Sequence, residues 1–515
     1  MCSENVDSSN FSIYKFAPLI FAIIFSTFPL SYMFTARNVK YRCLIPECEN
    51  TSDTTYNPEW LEHFVPYQHN FPSSCSRYTL TNNQTCLSQE ILSNETIQCN
   101  EFIFQREESA IVHDFSIFCG ENLWKLTMIG TLSVAGEIVC LSYAGFISDR
   151  YGRPKLIMMG VMLSTMIGLS KSFSGNYIVY AALEFLDTAL CAATYSASFV
   201  QAMELVRPNQ RDRTNLIICC LYSTGQCIIG ITAWLSYSWR MMLRILYTPG
   251  VLFILFVFSI PESRAWFLGY NKNQQQTEGF GAKSKQGLLG NPAGMQTRTK
   301  PTKHMEFPRF RHAVVNKVLL LRMIHCSFTW LGSYFVYYGL TLQSLTISED
   351  IYINFISCVL FDIPGFWIYY YGSKKFRRRR TMMIAFAFTG VCCLCVGFIR
   401  EELYWMKLII FLLGKCGSAM VFALTYVFTA ELFPRTSRHA MMAICAMFGK
   451  IGLLLAPQLP LLARVNKSVP LMIFGILSLI AGVLALFFPE TLNTKLPETI
   501  EDAVNIGKTS VGRFG

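Results

Sequence analysis

Long apolar runs separated by polar connections dominate the chain. Each run is close to the length of roughly 20 residues that a helix needs to cross about 30 Å of hydrocarbon. Because no water satisfies backbone N–H and C=O groups in lipid, the runs are predicted to be helices. Six runs precede a long polar connection and six follow it. They cover residues 16–36, 125–147, 155–173, 177–200, 215–237, 241–260, 316–340, 349–371, 381–399, 404–430, 439–462 and 469–488.

The polar segments set the predicted organisation of the chain. We expect an all-α integral membrane protein with 12 transmembrane helices in two pseudo-symmetric six-helix halves, and a large extracellular loop after the first helix. The predicted units are a cytosolic N-terminus 1–15, a first half 16–260 that contains the loop 37–124, a cytosolic linker 261–315, a second half 316–488 and a cytosolic tail 489–515.

Polar motifs repeat between the two halves. The basic segment that begins at Gly145 is echoed by one that begins at Gly372, 227 residues later (372 − 145). An ordered set of repeats at nearly one spacing predicts two equivalent halves, as in transporters that enclose a site near the membrane midplane. Other repeats in the same order are Glu204 and Arg211 with Glu431 and Arg438, and residues 261–263 with 489–491.

The loop after the first run is predicted to be extracellular and cross-linked. Six of the 19 cysteines lie in it, beside three Asn-x-Ser/Thr glycosylation sequons. An even number of cysteines beside sequons indicates three disulfide bonds in an oxidising compartment, whose pairing the sequence leaves open. The cysteines are Cys43, Cys48, Cys75, Cys86, Cys99 and Cys119, and the sequons begin at Asn50, Asn83 and Asn94.

Composition indicates lipid as the solvent. Charged residues make up 15% of the chain, whereas soluble domains carry about a quarter. The formal net charge of +11 comes largely from cations in loops beside apolar runs, which is typical of cytosolic loops in membrane proteins. We therefore expect the lipid bilayer as a partner and no nucleic acid, and the motifs of an enzyme, a metal site or a cofactor site are missing.

Six charged residues lie deep inside the predicted spans, where an ion is unfavourable by at least about 2.5–3.5 kcal/mol. A neutral solute does not need them, so they favour an organic ion as the substrate. They are Glu137, Glu184, Asp187, Asp362, Lys415 and Lys450.

The motifs resemble those of the organic ion transporters of solute carrier family 22, in the major facilitator superfamily. Residues 145–153 are similar to the superfamily signature between the second and third helices, and residues 261–266, 431–434 and 489–502 to later motifs of the family. The similarity extends over nearly the whole chain and includes the cysteine-rich loop. It implies a multi-pass carrier in the plasma membrane, with both termini cytosolic, that works by alternating access.

The resemblance also implies a conformational latch at the cytosolic face. Breaking ion pairs there would let one half rock against the other, and the alternative is that these charges only enforce topology. Glu204 with Arg211 and Glu431 with Arg438 are candidate partners at this face. We expect the second copy to lack the acid because Phe376 stands where Asp149 would map. The implied latch residues are Asp149, Arg150, Arg153, Glu204, Arg211, Glu262, Glu431, Arg438 and Glu490.

A central substrate site follows from the same resemblance. In the family, a base at the position of Lys450 accompanies anionic substrates, although an internal carboxylate that neutralises this lysine is the alternative. The membrane carboxylates favour cations instead, and a zwitterion would satisfy both sets. The implied substrate-binding residues are Lys450, Lys415, Asp362, Tyr337, Tyr338, Tyr222, Gln226 and Glu184.

These observations predict a carrier of small organic ions, with an anion or zwitterion favoured over a simple cation and the polarity unresolved. A counter-ion or exchange substrate stays open as a further partner. The alternatives are a porter of sugars or other neutral solutes, and a carrier-like receptor that does not transport.

Overall fold

The computed structural model describes residues 13–46, 49, 55–56, 58, 60–68, 71–78, 96–105, 109–206, 210–253, 316–347, 350–400, 402–434, 438–463, 466, 468–491, 497 and 499–506. Several predicted residues lie outside these ranges, as does the whole of the linker 261–315. They are Cys48, Cys86, Asn50, Asn83, Asn94 and Glu262.

Helices form most of the described chain, and nine stretches of it are long and apolar enough to cross a membrane. Each predicted span contains helix where the chain is described, so the predicted all-α membrane fold is confirmed. The helices of the first half are α1 (Ile13–Phe25), α2 (Tyr32–Thr35), α3 (Leu61–Phe64), α4 (Ile111–Asp114), α5 (Leu123–Tyr151), α6 (Arg153–Lys171), α7 (Tyr177–Cys191), α8 (Ala193–Leu205), α9 (Arg211–Leu235), α10 (Trp239–Tyr247) and α11 (Pro249–Leu252).

The second half has a similar sequence of long helices. They are α12 (Lys317–Gln343), α13 (Ile351–Leu360), α14 (Asp362–Lys375), α15 (Arg378–Phe398), α16 (Tyr404–Leu432), α17 (Arg438–Leu455), α18 (Leu459–Leu462) and α19 (Val469–Leu484), followed by the short α20 (Ile500–Asn505).

Among the described residues, the first, sixth, eighth and eleventh predicted spans are each interrupted beside a proline. The first span consists of α1 and α2 joined by the 3-10 turn Phe28–Ser31, which contains Pro29. The eighth span consists of α13 and α14, and Pro364 occupies the first turn of α14, where its missing N–H is not needed. Proline therefore divides these spans without leaving a donor unsatisfied in the membrane.

Close helix contacts within each half depend on small residues. A Cβ added to Gly136 on α5 would lie 2.1 Å from Thr188 Oγ1 on α7, and one added to Gly365 on α14 would lie 2.5 Å from the Cys416 carbonyl oxygen on α16. Small residues let helices approach in lipid, where no hydrophobic force drives them together. Between the halves, α9 packs on α13 and α14, and α5 packs on α17.

The cysteine-rich loop is stapled by disulfide bonds that join Cys43 to Cys99 and Cys75 to Cys119, with Cα–Cα distances of 5.7 and 5.6 Å. Burial lowers the pKa of His113 in this loop, so the ring stays neutral and accepts a backbone N–H at Nδ1.

Three antiparallel pairs of strands are described in this loop: β1 (Tyr41–Cys43) with β6 (Phe102–Phe104), β2 (Tyr67–Gln68) with β3 (Phe71–Pro72), and β4 (Ser76–Tyr78) with β5 (Thr96–Gln98).

This loop is anchored to the first half. The Ser109 N–H donates to the Tyr237 carbonyl at 3.0 Å, and the Trp239 N–H donates back to the Ser109 carbonyl at 3.2 Å. Asp114 accepts hydrogen bonds from Trp239 Nε1 at 3.1 Å and from Arg240 Nε at 2.9 Å. We call the end of the bundle that carries the loop the loop face.

The repeated basic motifs lie at the opposite end, which we call the motif face. Gly152 precedes α6 with φ 91° and ψ 153°, and Arg377 precedes α15 with φ 68° and ψ 145°. These residues are structurally equivalent, so the local offset is 225 (377 − 152). The expected match of Phe376 with Asp149 is therefore wrong, and Lys374 takes that position (149 + 225), so the second copy lacks the acid either way.

This equivalence predicts opposite effects of glycine at the two positions. A side chain at positive φ with extended ψ is strained by about 1 kcal/mol or more. We expect Arg377→Gly to raise the thermal unfolding temperature of the detergent-solubilised protein, and Gly152→Ala to lower it. Arg380→Gly, which places glycine within α15, is the control and should destabilise. Equal effects at 377 and 380 would contradict the strain.

Candidate functional site

Charged side chains inside the membrane-spanning helices form three clusters. Each joins charges of opposite sign from different helices, as expected for ions that lipid cannot solvate. We call them the interface pair (Glu137 and Lys450), the second-half cluster (Asp362, Lys415, Tyr337 and Thr341) and the first-half triad (Lys171, Glu184 and Asp187).

The interface pair connects the two halves of the protein. Glu137 on α5 forms an ion pair with Lys450 on α17. Their side chains are 18% and 13% exposed, whereas the charged side chains of the other two clusters are fully buried. Of the three clusters, the interface pair is therefore the one that a small molecule can reach without separating packed helices.

Tyrosines surround the ammonium group of the interface pair. The ring centres of Tyr334 and Tyr338 lie 5.0 and 5.9 Å from Lys450 Nζ. The Tyr338 hydroxyl is 2.9 Å from the hydroxyl of Tyr222 on α9, which makes a second contact between the halves. Tyr334 is hydrogen-bonded to Tyr426 on α16. Three residues predicted for the substrate site, Lys450, Tyr338 and Tyr222, therefore lie together.

Gln226 follows Tyr222 by one turn of α9 and is fully buried. Among the described residues, neither amide atom of Gln226 has a hydrogen bond of normal length and angle, and the same holds for the hydroxyl of Ser223. Buried polar groups are normally hydrogen-bonded. A bound molecule that offers both a donor and an acceptor would satisfy the Gln226 amide.

The second-half cluster satisfies its own charges. Lys415 Nζ lies 3.3 Å from Asp362 Oδ1 and donates to the Tyr337 carbonyl at 3.1 Å and to Thr341 Oγ1 at 2.8 Å. The Tyr337 hydroxyl donates to Asp362 Oδ2 at 2.8 Å. The structure thus brings together three predicted residues, Lys415, Asp362 and Tyr337, but in a closed cluster separate from the interface pair.

The first-half triad contains a residue that sequence reasoning missed. Lys171 Nζ on α6 lies 3.0 Å from Glu184 Oε2 and 2.7 Å from Asp187 Oδ2 on α7. Lys171 ends α6 and lies near the end of its predicted span, where lysine usually extends to water. Two acids on one helix face were the available signal, because buried acids need a counter-charge. Glu184, predicted to bind substrate, instead lies inside the first half.

Each half has an arginine–glutamate pair at the motif face. Arg153 at the start of α6 pairs with Glu204 near the end of α8. Arg378 at the start of α15 pairs with Glu431 near the end of α16, with an Nη2–Oε1 distance of 2.8 Å. The candidate partners expected from the sequence were Arg211 for Glu204 and Arg438 for Glu431. Glu204 is paired instead with Arg153, because helix packing brings the start of α6 close to the end of α8, and the side chain of Arg438 lies outside the described residues.

Glu490 completes the pair of the second half. Its Oε1 accepts the Arg378 N–H at 3.0 Å and the Thr491 N–H at 3.2 Å, and the Thr491 hydroxyl donates to Glu431 Oε2 at 2.8 Å. A carboxylate at a helix start is favourable because the first N–H groups of a helix have no internal acceptor. Arg378 Nη2 also lies 3.9 Å from Asp212 on α9, so the network reaches the other half.

The remaining predicted latch residues have no described role. Arg211 is exposed at the start of α9. The side chains of Asp149, Arg150 and Arg438 lie outside the described part of the chain, as does the whole of Glu262. Within the described residues, no group of three or more His, Cys, Asp or Glu side chains could hold a metal ion.

Comparison with known proteins identifies the family. The model of the family described as "Sugar (and other) transporter" matches residues 72–502, more than four-fifths of the chain. The chain belongs to this family. The expected membership in the organic ion transporters of solute carrier family 22, within the major facilitator superfamily, is also confirmed. The protein is thus a multi-pass membrane transporter, and its relatives are transporters and not enzymes.

Relatives match this transporter over nearly its whole length. An organic cation transporter protein of Drosophila melanogaster is 26% identical and covers 95% of this chain and 90% of its own. Solute carrier family 22 member 3 of Rattus norvegicus is 25% identical, with coverage of 97% and 92%. The organic cation/carnitine transporter 2 of Homo sapiens is 25% identical, with coverage of 93% and 88%.

Solved structures agree on the fold. The proton:xylose symporter XylE bound to 6-bromo-6-deoxy-D-glucose has a TM-score of 0.56 at 16% identity, and covers 75% of this chain and 90% of its own. The xylose transporter XylE from E. coli in an inward-open conformation has a TM-score of 0.56 at 16% identity, with coverage of 74% and 88%. At this identity the likeness concerns the fold alone.

The second-half cluster predicts a strong effect of removing one charge. Lys415→Met leaves the Asp362 carboxylate buried without its counter-ion, which should lower the free energy of unfolding by about 3–5 kcal/mol. Adding Asp362→Leu should recover most of the loss. Thermal unfolding in detergent measures both, with Lys374→Met at an exposed lysine as the control. A single variant as stable as the double variant would contradict the pairing.

Proposed function

We propose that this transporter carries small zwitterionic organic ions by alternating access, with the substrate bound between the halves at the interface pair. The observation that carries this proposal is the pairing of Glu137 and Lys450 across the halves, in partial exposure and beside tyrosine rings. Because Glu137 and Lys450 belong to different halves, a substrate that carries both a positive and a negative charge could bind one residue of each half.

The pair has to separate whenever α5 and α17 move apart. Separating two partly buried charges is unfavourable unless each finds a new partner. A zwitterion supplies both: its carboxylate can replace Glu137 at Lys450, and its ammonium can replace Lys450 at Glu137. The faces of Tyr334 and Tyr338 add cation–π attraction for that ammonium. A simple anion or cation would satisfy only one side of the open pair.

The names of the relatives support this substrate class. They include organic cation transporters and an organic cation/carnitine transporter. Carnitine has a quaternary ammonium group and a carboxylate, which is the charge pattern inferred from the interface pair. We therefore favour a zwitterion over the simple anion that Lys450 alone suggested.

The orientation and the units of the chain are part of the proposal. We place the loop face outside the cell at the plasma membrane, because disulfide bonds persist in oxidising compartments. The motif face then lies in the cytosol, in agreement with its arginines and lysines. The two halves, at 16–260 and 316–488, would move as bodies joined by the linker 261–315.

The arginine–glutamate pairs would act as latches at the motif face. Arg153 with Glu204 braces the first half, and Arg378 with Glu431 braces the second. The 3.9 Å contact of Arg378 with Asp212 joins the two halves and would break when this face opens. Changing it should therefore affect the rate of the conformational change more than substrate affinity.

Uptake by cells that express the protein tests the substrate class. We expect saturable uptake of labelled carnitine and weaker uptake of tetraethylammonium and benzoate. Lys450→Asp should reduce carnitine uptake at least about tenfold and favour tetraethylammonium, because it removes a desolvated charge contact. Glu137→Gln should reduce uptake of both cation-bearing compounds.

Glu501→Gln, at an exposed acid of α20, is the control for these variants and should transport as the wild type does. Saturable benzoate uptake that exceeds carnitine uptake would overturn the zwitterion. Uptake of labelled glucose alone would favour a neutral-solute porter. Absence of all uptake from a protein present at the cell surface would favour a carrier-like receptor.

The latch predicts a kinetic effect at the motif face. We expect Arg378→Gln to change the maximal rate of carnitine uptake several-fold with little change in KM, because Arg378 lies in the half-joining network and not beside the interface pair. Arg380→Gln, two residues later at an exposed position of α15, is the matched control. A change in KM alone would exclude the latch role.

A further inference from the structure

The first-half triad has an unbalanced charge in a fully buried place. When all three side chains are ionised, one ammonium faces two carboxylates, which leaves a net charge of −1. All three side chains have zero exposure. An uncompensated buried charge is strongly unfavourable, and such groups usually take up or release a proton instead.

Among the described residues, the neighbours of the triad supply hydroxyls but no second buried cation. Arg240 and Arg244 on α10 bond to Ser172, next to Lys171, and not to the triad carboxylates. Arg240 also pairs with Asp114, and Arg244 is exposed. The other described titratable groups that interact with the triad are uncharged: Tyr32, Tyr180, Cys191 and Tyr247. Tyr32 also interacts with the acid Glu137.

Hydrogen bonding distinguishes the two carboxylates. Asp187 accepts three short bonds, from Ser164 Oγ at 2.6 Å, Lys171 Nζ at 2.7 Å and Tyr247 Oη at 2.8 Å. Glu184 accepts two longer bonds, from Lys171 Nζ and from Ser133 Oγ, each at 3.0 Å. Because hydrogen bonds to the charged form favour ionisation, Asp187 is the better-stabilised carboxylate.

We propose that the first-half triad is a site for one exchangeable proton, which binds the carboxylate of Glu184 while Asp187 and Lys171 remain an ion pair. Proton binding converts the carboxylate to a carboxylic acid and makes the cluster neutral. The serine hydroxyl of Ser133 can then accept the new O–H instead of donating to Glu184.

Helix α5 links this proton site to the interface pair. Ser133 and Glu137 are one turn apart on α5; Ser133 contacts Glu184, and Glu137 contacts Lys450 of the other half. A change in the bond between Ser133 and Glu184 would therefore be transmitted by one helical turn to the contact that joins the halves. This coupling rests on the proposed carrier function, whereas the proton site does not.

Infrared difference spectroscopy on the purified full-length protein tests the proton site without any substrate. Exposed Asp and Glu titrate near about pH 4, so a carboxylic-acid C=O band that grows between about pH 8.5 and about pH 5.5 reports a perturbed acid. We expect this band in the wild type and in the control Glu501→Gln. Glu184→Gln should remove the part of the band that Glu184 contributes, whereas any part contributed by the partly buried Glu431 should remain.

Asp187→Asn provides an independent second test. It leaves one acid for one lysine, so Glu184 should stay ionised and its part of the band should again be lost. Size-exclusion chromatography identifies any variant that has unfolded. Two results would overturn the exchangeable proton. One is a wild-type band that is unchanged in Glu184→Gln; the other is a Glu184-dependent band that is equally strong at both pH values.

Carnitine uptake into proteoliposomes under imposed pH gradients tests the coupling. We expect the wild-type rate to change by about fivefold or more with the gradient, and the Glu184→Gln rate to be unaffected by it. Uptake that responds equally in both proteins would exclude coupling through the triad. Failure of carnitine uptake at every pH would reject the carrier proposal and the coupling, while the infrared result decides the proton site by itself.

Discussion

The energetic penalty for an unpaired charge in lipid organises the interior of this protein. Every charged side chain of the three clusters has an opposite charge on another helix, from Lys171 with its two acids to Lys415 with Asp362. These pairs specify which helix faces meet, because in lipid apolar side chains alone do not drive helices together. Helix positions within each half are therefore tied to the charges that each helix contributes.

The three clusters differ in where they can come apart. Two of them lie within a half, fully buried and completed by hydroxyl and carbonyl groups such as Tyr247 and Thr341. The interface pair lies between the halves and keeps partial exposure. If the two halves move relative to each other, buried pairs within each half would preserve its structure. A partly exposed pair between the halves would be the one that separates.

The two halves share one arrangement at the motif face, an arginine–glutamate pair at a helix start, but differ in its details. In each half, a residue with positive φ precedes a helix, α6 or α15, that begins with an arginine. That arginine pairs with a glutamate near the end of α8 or α16. The first half uses glycine for that turn, and the second retains Arg377 in a strained conformation. The second half adds Glu490 at the helix start, and its arginine also approaches Asp212. The equivalent loops thus brace both halves, but the contact across the halves is described only for the second.

The apolar runs alone determined the helical membrane fold, because a chain in lipid has no other way to satisfy its backbone, and the repeated motifs determined its two halves. They also indicated which charges are unusual. Partner choice was decided only by tertiary structure: Glu184 pairs with Lys171, Glu204 pairs with Arg153, and Lys450 pairs with Glu137 across the halves. Helix rotation and tilt set these pairings, since the partners lie on different helices, from 13 to 313 positions apart, and periodicity along one helix does not encode which helices meet.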